Sequence, residues 1–84
     1  MDIKKYIIKI EGQYDYFDVF SYIKDFIYLN NFYHLTHKEI SMLIYKEISK
    51  IYKNIFTPFF IEASVKRYMD ENKELFLVLG NQQI

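Results

Sequence analysis

Apolar side chains recur at helical spacing along the first half of the chain. Between residues 16 and 27 they fall every three or four positions, which predicts a helix over residues 16–29. Asp15 stands before this run as a candidate N-cap, and Asn30 and Asn31 follow it as breakers. The first predicted helix is therefore bounded at both ends by sequence signals.

Two further helices are predicted from their N-terminal residues. Residues 36–39 read Thr-His-Lys-Glu, a capping box in which the threonine hydroxyl and the glutamate carboxylate each accept a hydrogen bond from the other residue's backbone amide. The apolar stripe that follows predicts a helix over residues 37–53. Thr57 and Pro58 supply an N-cap and a proline at the first helical position, which predicts a third helix that ends near residue 72.

Both ends of the chain are predicted to be strands. Residues 3–10 alternate between a face that carries Tyr6 and Ile8 and a face that carries lysines. Residues 75–79 form an uninterrupted apolar run that Gly80 ends. The predicted order is β-α-α-α-β with the terminal strands paired, which is an α+β fold.

The second and third predicted helices are joined by about three residues, 54–56, a spacing typical of a helix-turn-helix. In that motif the first helix braces the second, whose N-terminal side chains enter the major groove of DNA. The length of the chain predicts one domain. We therefore expect a single winged helix-turn-helix-like domain over residues 1–84, with the helix-turn-helix at about residues 37–72.

The third predicted helix carries side chains suited to reading DNA. Lys66 and Arg67 would contact phosphates or the guanine edge, and Glu62 would accept a hydrogen bond from cytosine. Phe59 would touch a thymine methyl group, unless it packs with Phe60 in the core or in a dimer interface. For each charged residue the alternative is a solvated position on a helix surface. The candidate DNA-contacting residues are Thr57, Phe59, Glu62, Ala63, Ser64, Lys66 and Arg67 on the third helix and Lys38, Lys46, Lys50 and Lys53 on the second.

Three segments resemble the C-terminal DNA-binding domain of the sporulation response regulator stage-zero sporulation protein A. Residues 23–29, Ile-Lys-Asp-Phe-Ile-Tyr-Leu, are similar to that family's Ile-Lys-Gly-Tyr-Leu-Tyr-Leu run. Residues 45–52 resemble its Tyr-Pro-Asp-Ile-Ala-Lys-Lys-Phe run, and residues 57–66 resemble its recognition helix. The segments occur in the family's order and together cover about residues 20–68. The resemblance implies a helix-turn-helix scaffold, in a divergent relative that stands without the family's receiver domain.

The chain departs from that family's pattern at several positions. Pro58, Phe59 and Phe60 replace the small and basic residues that follow the recognition-helix threonine, and Ala63 occupies a basic position. The family's domain is all-helical, whereas both ends of this chain are predicted to be strands. The resemblance therefore implies the scaffold, and it implies neither the same DNA site nor a role in sporulation.

The charge of the chain is balanced overall but unevenly distributed. Eleven basic and eleven acidic residues give a formal net charge of zero, so the chain lacks the global basic field of many nucleic-acid binders. Residues 38–68 carry five lysines and one arginine against three acids, while the flanks carry a small acidic excess. This segregation permits a local basic face and predicts modest non-specific affinity for DNA.

Catalytic and metal chemistry find little support in the sequence. The chain has no cysteine, and His34 and His37 straddle a helix start, so they do not share a helical face. No nucleophile, base and orienting group occur together in a recognisable arrangement. We therefore expect no enzyme activity, cofactor, metal or small-molecule substrate. No apolar run exceeds five residues, so we expect a cytoplasmic protein that does not enter a membrane.

The aromatic content keeps a second function open. The chain has nine tyrosines and eight phenylalanines, and five of the tyrosines cluster around the first predicted helix. Their alternatives are partial burial in the core and a protein interface. The leading expectation is a double-stranded DNA-binding homodimer, joined through open strand edges, that acts as a small transcriptional regulator or a plasmid or phage accessory factor. The alternative is a protein-binding module, such as a phage-type inhibitor or adaptor, with a Tyr/Phe-rich surface.

Overall fold

A computed structural model of the protein describes residues 2–9, 15–50 and 56–81. Within these residues the chain is mostly helical with one small antiparallel sheet, which is compatible with the predicted α+β class. A short 3-10 helix, Ile3–Tyr6, precedes the sheet. The elements are β1 (Ile7–Lys9), β2 (Asp15–Phe17), α1 (Val19–Asn30), α2 (His37–Ser49), α3 (Pro58–Glu71) and α4 (Lys73–Asn81).

The predicted starts of the two central helices are confirmed in atomic detail. The Thr36 hydroxyl accepts a hydrogen bond from the Glu39 amide at 3.2 Å, and the Glu39 carboxylate accepts one from the Thr36 amide at 3.0 Å. The Thr57 hydroxyl accepts a hydrogen bond from the Phe60 amide at 3.0 Å, with Pro58 as the first residue of α3. Both helices begin where local side chains satisfy free backbone amides.

The predicted start of the first helix is wrong by three residues. The helix was expected to open at residue 16 with Asp15 as its N-cap, but residues 15–17 form β2 and Asp18 is the N-cap. The Asp18 carboxylate accepts hydrogen bonds from the Ser21 amide at 3.3 Å and the Ser21 hydroxyl at 2.7 Å. At the other end, Asn31 adopts the left-handed conformation with φ 57°, so the predicted break at this position is confirmed.

The predicted pairing of the two terminal strands is also wrong. Within the described part of the expected strand 3–10, residues 3–6 form the 3-10 helix and residues 7–9 pair with β2, with Ile8 opposite Tyr16. The expected strand 75–79 is part of α4. Along α4, Phe76 and Leu79 are partly buried against the core, while Leu77 and Val78 are exposed. A run of five apolar residues fits a buried strand or a helix equally well, and here the aromatic rings of Tyr33 and Tyr68 favour the helix by packing on Phe76.

The described residues cover only the two edges of the connection between α2 and α3. Helix α2 is described to Ser49 with Lys50 as its C-cap, and α3 begins at Pro58. The Ser49 hydroxyl donates to the Tyr45 carbonyl at 2.6 Å, an alternative to the backbone ladder at the end of the helix. Lys53, with the predicted stop at Asn54, lies outside the described residues.

The core forms where α3 packs against both α1 and α2. Aliphatic side chains from the three helices are fully buried, and three buried tyrosines belong to the same cluster. The fully buried residues are Ile23, Ile27, Ile40, Ile44, Ile48, Ile61 and Val65, and the buried tyrosines are Tyr22, Tyr33 and Tyr68. This arrangement fixes α3 across the other two helices and decides which of its residues reach the surface.

Gly80 lets α4 approach the connection between α1 and α2. A Cβ atom at this position would lie 2.9 Å from the Tyr33 carbonyl oxygen, which is backbone and therefore cannot simply rotate away. We expect Gly80→Ala to cost about 1–3 kcal/mol by steric strain, against a helix-propensity gain of up to about 1 kcal/mol. Hydrogen exchange should show lower protection of the α4 amides. Leu77→Ala, at an exposed position of the same helix, should leave α4 protected, and equal protection in the Gly80 variant would contradict the close approach.

Candidate nucleic-acid interface

Helix α3 divides into a buried face and an outward face. Ile61, Val65 and Tyr68 pack into the core. On the opposite side, Phe59 is 81% exposed and is followed at helical spacing by Ala63 and Lys66, which are also exposed. We call Phe59, Ala63, Lys66 and Arg67 the α3 face.

Two of the predicted DNA-contacting residues lie elsewhere. Ser64 is only 8% exposed and lies on the buried side of α3, so it does not join the α3 face. Thr57 is exposed, but its hydroxyl accepts the Phe60 amide and serves as the helix cap. Reading the helical wheel of the third helix by itself would have separated Ser64 from Lys66, because Ser64 shares its side with Ile61 and Tyr68.

The charged residues of α3 have specific partners. The Arg67 Nε donates to the Glu71 carboxylate at 3.0 Å, and its guanidinium lies 5.4 Å from the ring centroid of Phe20. The Glu62 carboxylate lies 3.3 Å from the His37 Nε2 and so links the second turn of α3 to the first turn of α2. Arg67 therefore contacts both Glu71 and Phe20 on the surface, and Glu62 contacts His37 across the two helices.

The outward side of α3 is electrostatically mixed. Lys66 and Arg67 are accompanied by the carboxylates of Glu62, Asp70 and Glu71. All five lie on a half-exposed or exposed part of the helix, where water screens their fields. The helix by itself therefore offers local positive groups rather than a uniformly basic surface.

Three of the four lysines predicted on the second helix line a groove. Lys38, Lys46 and Lys50 are exposed, and all three line a groove of about 840 Å³ alongside α2 that also reaches Pro58 and Glu62. Its apolar lining includes Met42, Leu43 and Tyr45. We call this the α2 groove. The Lys50 ammonium lies 3.3 Å from the Glu47 carboxylate, an exposed ion pair of small energetic value.

Sequence reasoning missed the α2 groove. Leu43 belongs by its helical spacing to the apolar stripe that predicts the second helix, yet it is 38% exposed, and Met42 is 74% exposed. Met42 stands four residues after Lys38 and four before Lys46. An apolar residue between two lysines on one helical face was the available signal, because residues four apart are neighbours on a helix.

The aromatic residues divide between core and surface. Tyr22 and Tyr33 are buried, whereas Tyr16 and Tyr28 are 47% and 68% exposed. Tyr14 lies outside the described residues. Two of the four tyrosines described around the first helix are therefore in the core, and the other two remain as exposed rings.

The two phenylalanines at the start of α3 have different surroundings. Phe60 stacks on Phe56 at a centroid distance of 5.9 Å and is 43% exposed. Phe59 is the most exposed large hydrophobic residue that the structure describes. Phe59 was expected either to pack in the core or to lie on the surface. Its ring lies on the surface.

The largest changes of pKa belong to two tyrosines, Tyr22 in the core and Tyr6, which packs against the core. Burial raises the pKa of Tyr6 to about 12, helped by its hydrogen bond to the Asp25 carboxylate at 2.7 Å. Burial also raises the pKa of Tyr22 to about 12, with a smaller contribution from the negative charge of Glu47. These groups are neutral at physiological pH and support the fold.

The described residues contain no group of three or more His, Asp or Glu side chains placed to hold a metal ion. Among the helices described here, none is both long enough and apolar enough to cross a membrane. No protein-family model matches the chain, and no curated protein or solved structure shows significant similarity to it. The resemblance to the sporulation regulator's DNA-binding domain therefore rests on the quoted segments alone.

Proposed function

We propose that this chain is a non-enzymatic protein that binds double-stranded DNA by inserting the α3 face into the major groove. The observation that carries the proposal is the exposure of Phe59, Ala63 and Lys66 in one row along a helix whose other side is locked into the core. A small transcriptional regulator or a plasmid or phage DNA-processing accessory factor would use such a domain.

The side chains of the α3 face match the chemistry of base edges. Phe59 and Ala63 are apolar groups that contact a thymine methyl. Lys66 donates to a guanine edge or to a phosphate, and Arg67 offers the guanidinium nitrogens that remain beside its bond to Glu71. The two apolar side chains would contact thymine, and the two cations would bind guanine. The preferred DNA site would therefore contain both bases.

Two further features support this use of α3. The His37–Glu62 pair and the shared core hold α2 and α3 together as one unit, as a recognition helix and its brace require. The helical C-terminal segment removes one departure from the all-helical domain of the family that the chain resembles. The mixed charge of α3 points to modest non-specific affinity, so base contacts would carry much of the binding.

The double variant Lys66→Ala, Arg67→Ala tests the proposal. A DNA site is first selected from a random duplex library with the wild-type protein at physiological salt. In a mobility-shift assay, the variant should no longer retain that site, while its circular dichroism spectrum is unchanged because both side chains are exposed. If both residues contact phosphate, the slope of log affinity against log salt should fall by about 2.

A charge-matched control is available on other helices. Lys24→Ala with Lys73→Ala removes two exposed lysines from α1 and α4, so it changes net charge by the same amount. This control should retain the selected DNA. Unchanged binding in the Lys66 and Arg67 variant, or an equal loss in both variants, would refute binding through the α3 face.

The 81% exposure of Phe59 also favours a second candidate, a protein-binding module of the inhibitor or adaptor type. A protein contact centred on an aromatic ring is nearly independent of salt, whereas a DNA complex with several phosphate contacts weakens steeply between about 50 and 200 mM. A selection that enriches no DNA site would favour this candidate.

A further inference from the structure

A second cleft, of about 310 Å³, lies between α1 and α2. Three aromatic rings supply its apolar surface, and polar side chains of both helices lie around them. The rings are those of Tyr22, Phe26 and Phe32, and the polar residues are Asn30, Lys46 and Glu47. We call this the α1–α2 cleft. Its volume is at the lower end of the range for small-molecule sites in proteins.

The rings of the cleft pack on one another. Tyr22 stacks on Phe26 with the ring centroids 5.9 Å apart, and Phe26 packs on Phe32 at 5.7 Å. Tyr22 and Phe26 are 3% and 7% exposed, so the core fixes most of each ring and a small part of it meets the cleft. Because aromatic rings gain from stacking and edge contacts with other rings, this surface favours a ligand with a flat, ring-bearing body.

The Tyr22 hydroxyl is a buried group that is free to bind a ligand. It has no hydrogen-bond partner among the residues that the structure describes, although Tyr22 is almost completely buried. No fully buried side-chain nitrogen or oxygen of those residues lacks a partner, so this hydroxyl keeps contact with the open space of the cleft. Burial raises the pKa of Tyr22 to about 12, and the negative charge of Glu47 adds to the effect. The hydroxyl therefore keeps its proton at neutral pH and can donate it.

Lys46 supplies a second free donor. Its ammonium has neither an ion-pair nor a hydrogen-bond partner within the described part of the chain. The neighbouring Glu47 carboxylate, in contrast, already accepts a hydrogen bond from Lys50 at 3.3 Å. With Lys50 balancing Glu47, Lys46 leaves this side of the cleft with a net positive charge. Two donors without an acceptor, one of them a cation, are thus placed beside an aromatic surface.

We propose that the α1–α2 cleft binds a small aromatic carboxylate, with the carboxylate on the Lys46 ammonium and the Tyr22 hydroxyl and the ring against Phe26 and Phe32. A hydrogen bond between an ammonium and a carboxylate is stronger than one between neutral groups, and the phenol satisfies the remaining carboxylate oxygen. A cationic ligand would be repelled by Lys46 and would have to compete with Lys50 for Glu47. This site is separate from the α3 face and does not depend on DNA binding.

Benzoate is the probe, and its binding is measured from the amide chemical shifts of the protein in NMR, without DNA. We expect saturable changes with a Kd of about 1–10 mM, which is reasonable for so small a ligand. Benzamide has the same ring without the charge, so it should bind about fivefold more weakly or worse. Acetate carries the charge without the ring and should also bind more weakly than benzoate.

Two variants remove the two donors separately. Lys46→Ala should weaken benzoate binding about tenfold or more, and Tyr22→Phe about two- to tenfold. Both variants should keep the wild-type circular dichroism spectrum, since Lys46 is exposed and the Tyr22 hydroxyl has no partner to lose among the described residues. Lys38→Ala is the matched control for the charge, because Lys38 and Lys46 both line the α2 groove but only Lys46 lines the cleft. Tyr28→Phe, at a 68% exposed position of α1, is the control for the hydroxyl. Both controls should bind benzoate as the wild type does.

The absence of saturable benzoate binding would overturn the proposal. Equal binding of benzamide or acetate would also overturn it, and so would tighter binding of benzylamine, which carries a cation in place of the carboxylate. An equal loss in Lys38→Ala and Lys46→Ala would move the ligand to the α2 groove, and unchanged binding in Tyr22→Phe would remove the hydroxyl from the site. Either result contradicts the assignment. None of these measurements involves DNA or the α3 face, so failure of this proposal is measured separately from failure of DNA binding.

Discussion

Replacing Ile44 with alanine is expected to lower the free energy of unfolding by about 2–5 kcal/mol. Ile44 lies in the middle of α2 and is fully buried in the cluster that joins the three central helices. The loss combines the lost burial of its side chain with the cavity that the surrounding residues cannot fill. A small domain is stable by only about 5–15 kcal/mol, so this single change removes a large fraction of the total.

Urea denaturation followed by circular dichroism measures the effect of Ile44→Ala, and thermal melting should show a decrease of about 10 °C or more. Met42→Ala provides the matched control because it shortens a side chain on the same helix that is 74% exposed. We expect the control to change stability by less than about 0.5 kcal/mol. Similar losses in both variants would contradict the orientation of α2 described here.

The protein is expected to lose stability at high pH because the folded state raises the pKa of two tyrosines. The pKa of Tyr22 rises to about 12 in the folded state, mainly through burial, and that of Tyr6 also rises to about 12. In the unfolded chain both groups ionise near pH 10, so their contribution is fully present below pH 10 and is lost between about pH 10 and 12. For Tyr22, which is 3% exposed, the loss approaches about 3 kcal/mol.

Tyr22→Phe tests the origin of the alkaline loss. The variant lacks the ionisable hydroxyl, so its free energy of unfolding should fall less than that of the wild type between pH 9 and 12, as measured by urea denaturation at each pH. Tyr28→Phe changes a ring that is 68% exposed and should follow the wild-type curve. Parallel curves for wild type and Tyr22→Phe would show that this tyrosine is not the cause.

Local signals in the sequence were sufficient for the ends of several helices. The capping box at Thr36, the Thr57–Pro58 start and the break at Asn31 each depend on contacts within a few residues of the chain. Such contacts form in the same way whatever the rest of the molecule does. For this reason they were predictable without a fold.

The wrong predictions of secondary structure have a different cause. In each case the residues that decide the element lie far away in the sequence. Residues 15–17 have helical spacing but form a strand, because β1 supplies backbone partners for them. Residues 75–79 form a helix, because Phe76 finds the rings of Tyr33 and Tyr68. In both cases the apolar pattern fitted two elements, and packing selected one.

The candidate site residues show the same difference between local and distant interactions. The helical spacing of Phe59, Ala63 and Lys66 already placed them on one side of a helix, and this face followed from the sequence because helical geometry is local. Whether that side points to solvent or to the core depended on α1 and α2, and so did the burial of Ser64. The lysines of α2 were visible in the sequence, but the groove between them forms only when α3 places Pro58 and Glu62 alongside.

The sequence by itself thus determined the helix starts and breaks that rest on capping, the order of the central helices, and the even balance but uneven distribution of charge. Only the tertiary structure decided the short sheet, the helical end of the chain and the surfaces that remain exposed. The physical reason is the distance along the chain over which each interaction acts. Capping and helical periodicity act within one or two turns, whereas burial depends on which distant side chains pack nearby and exclude water.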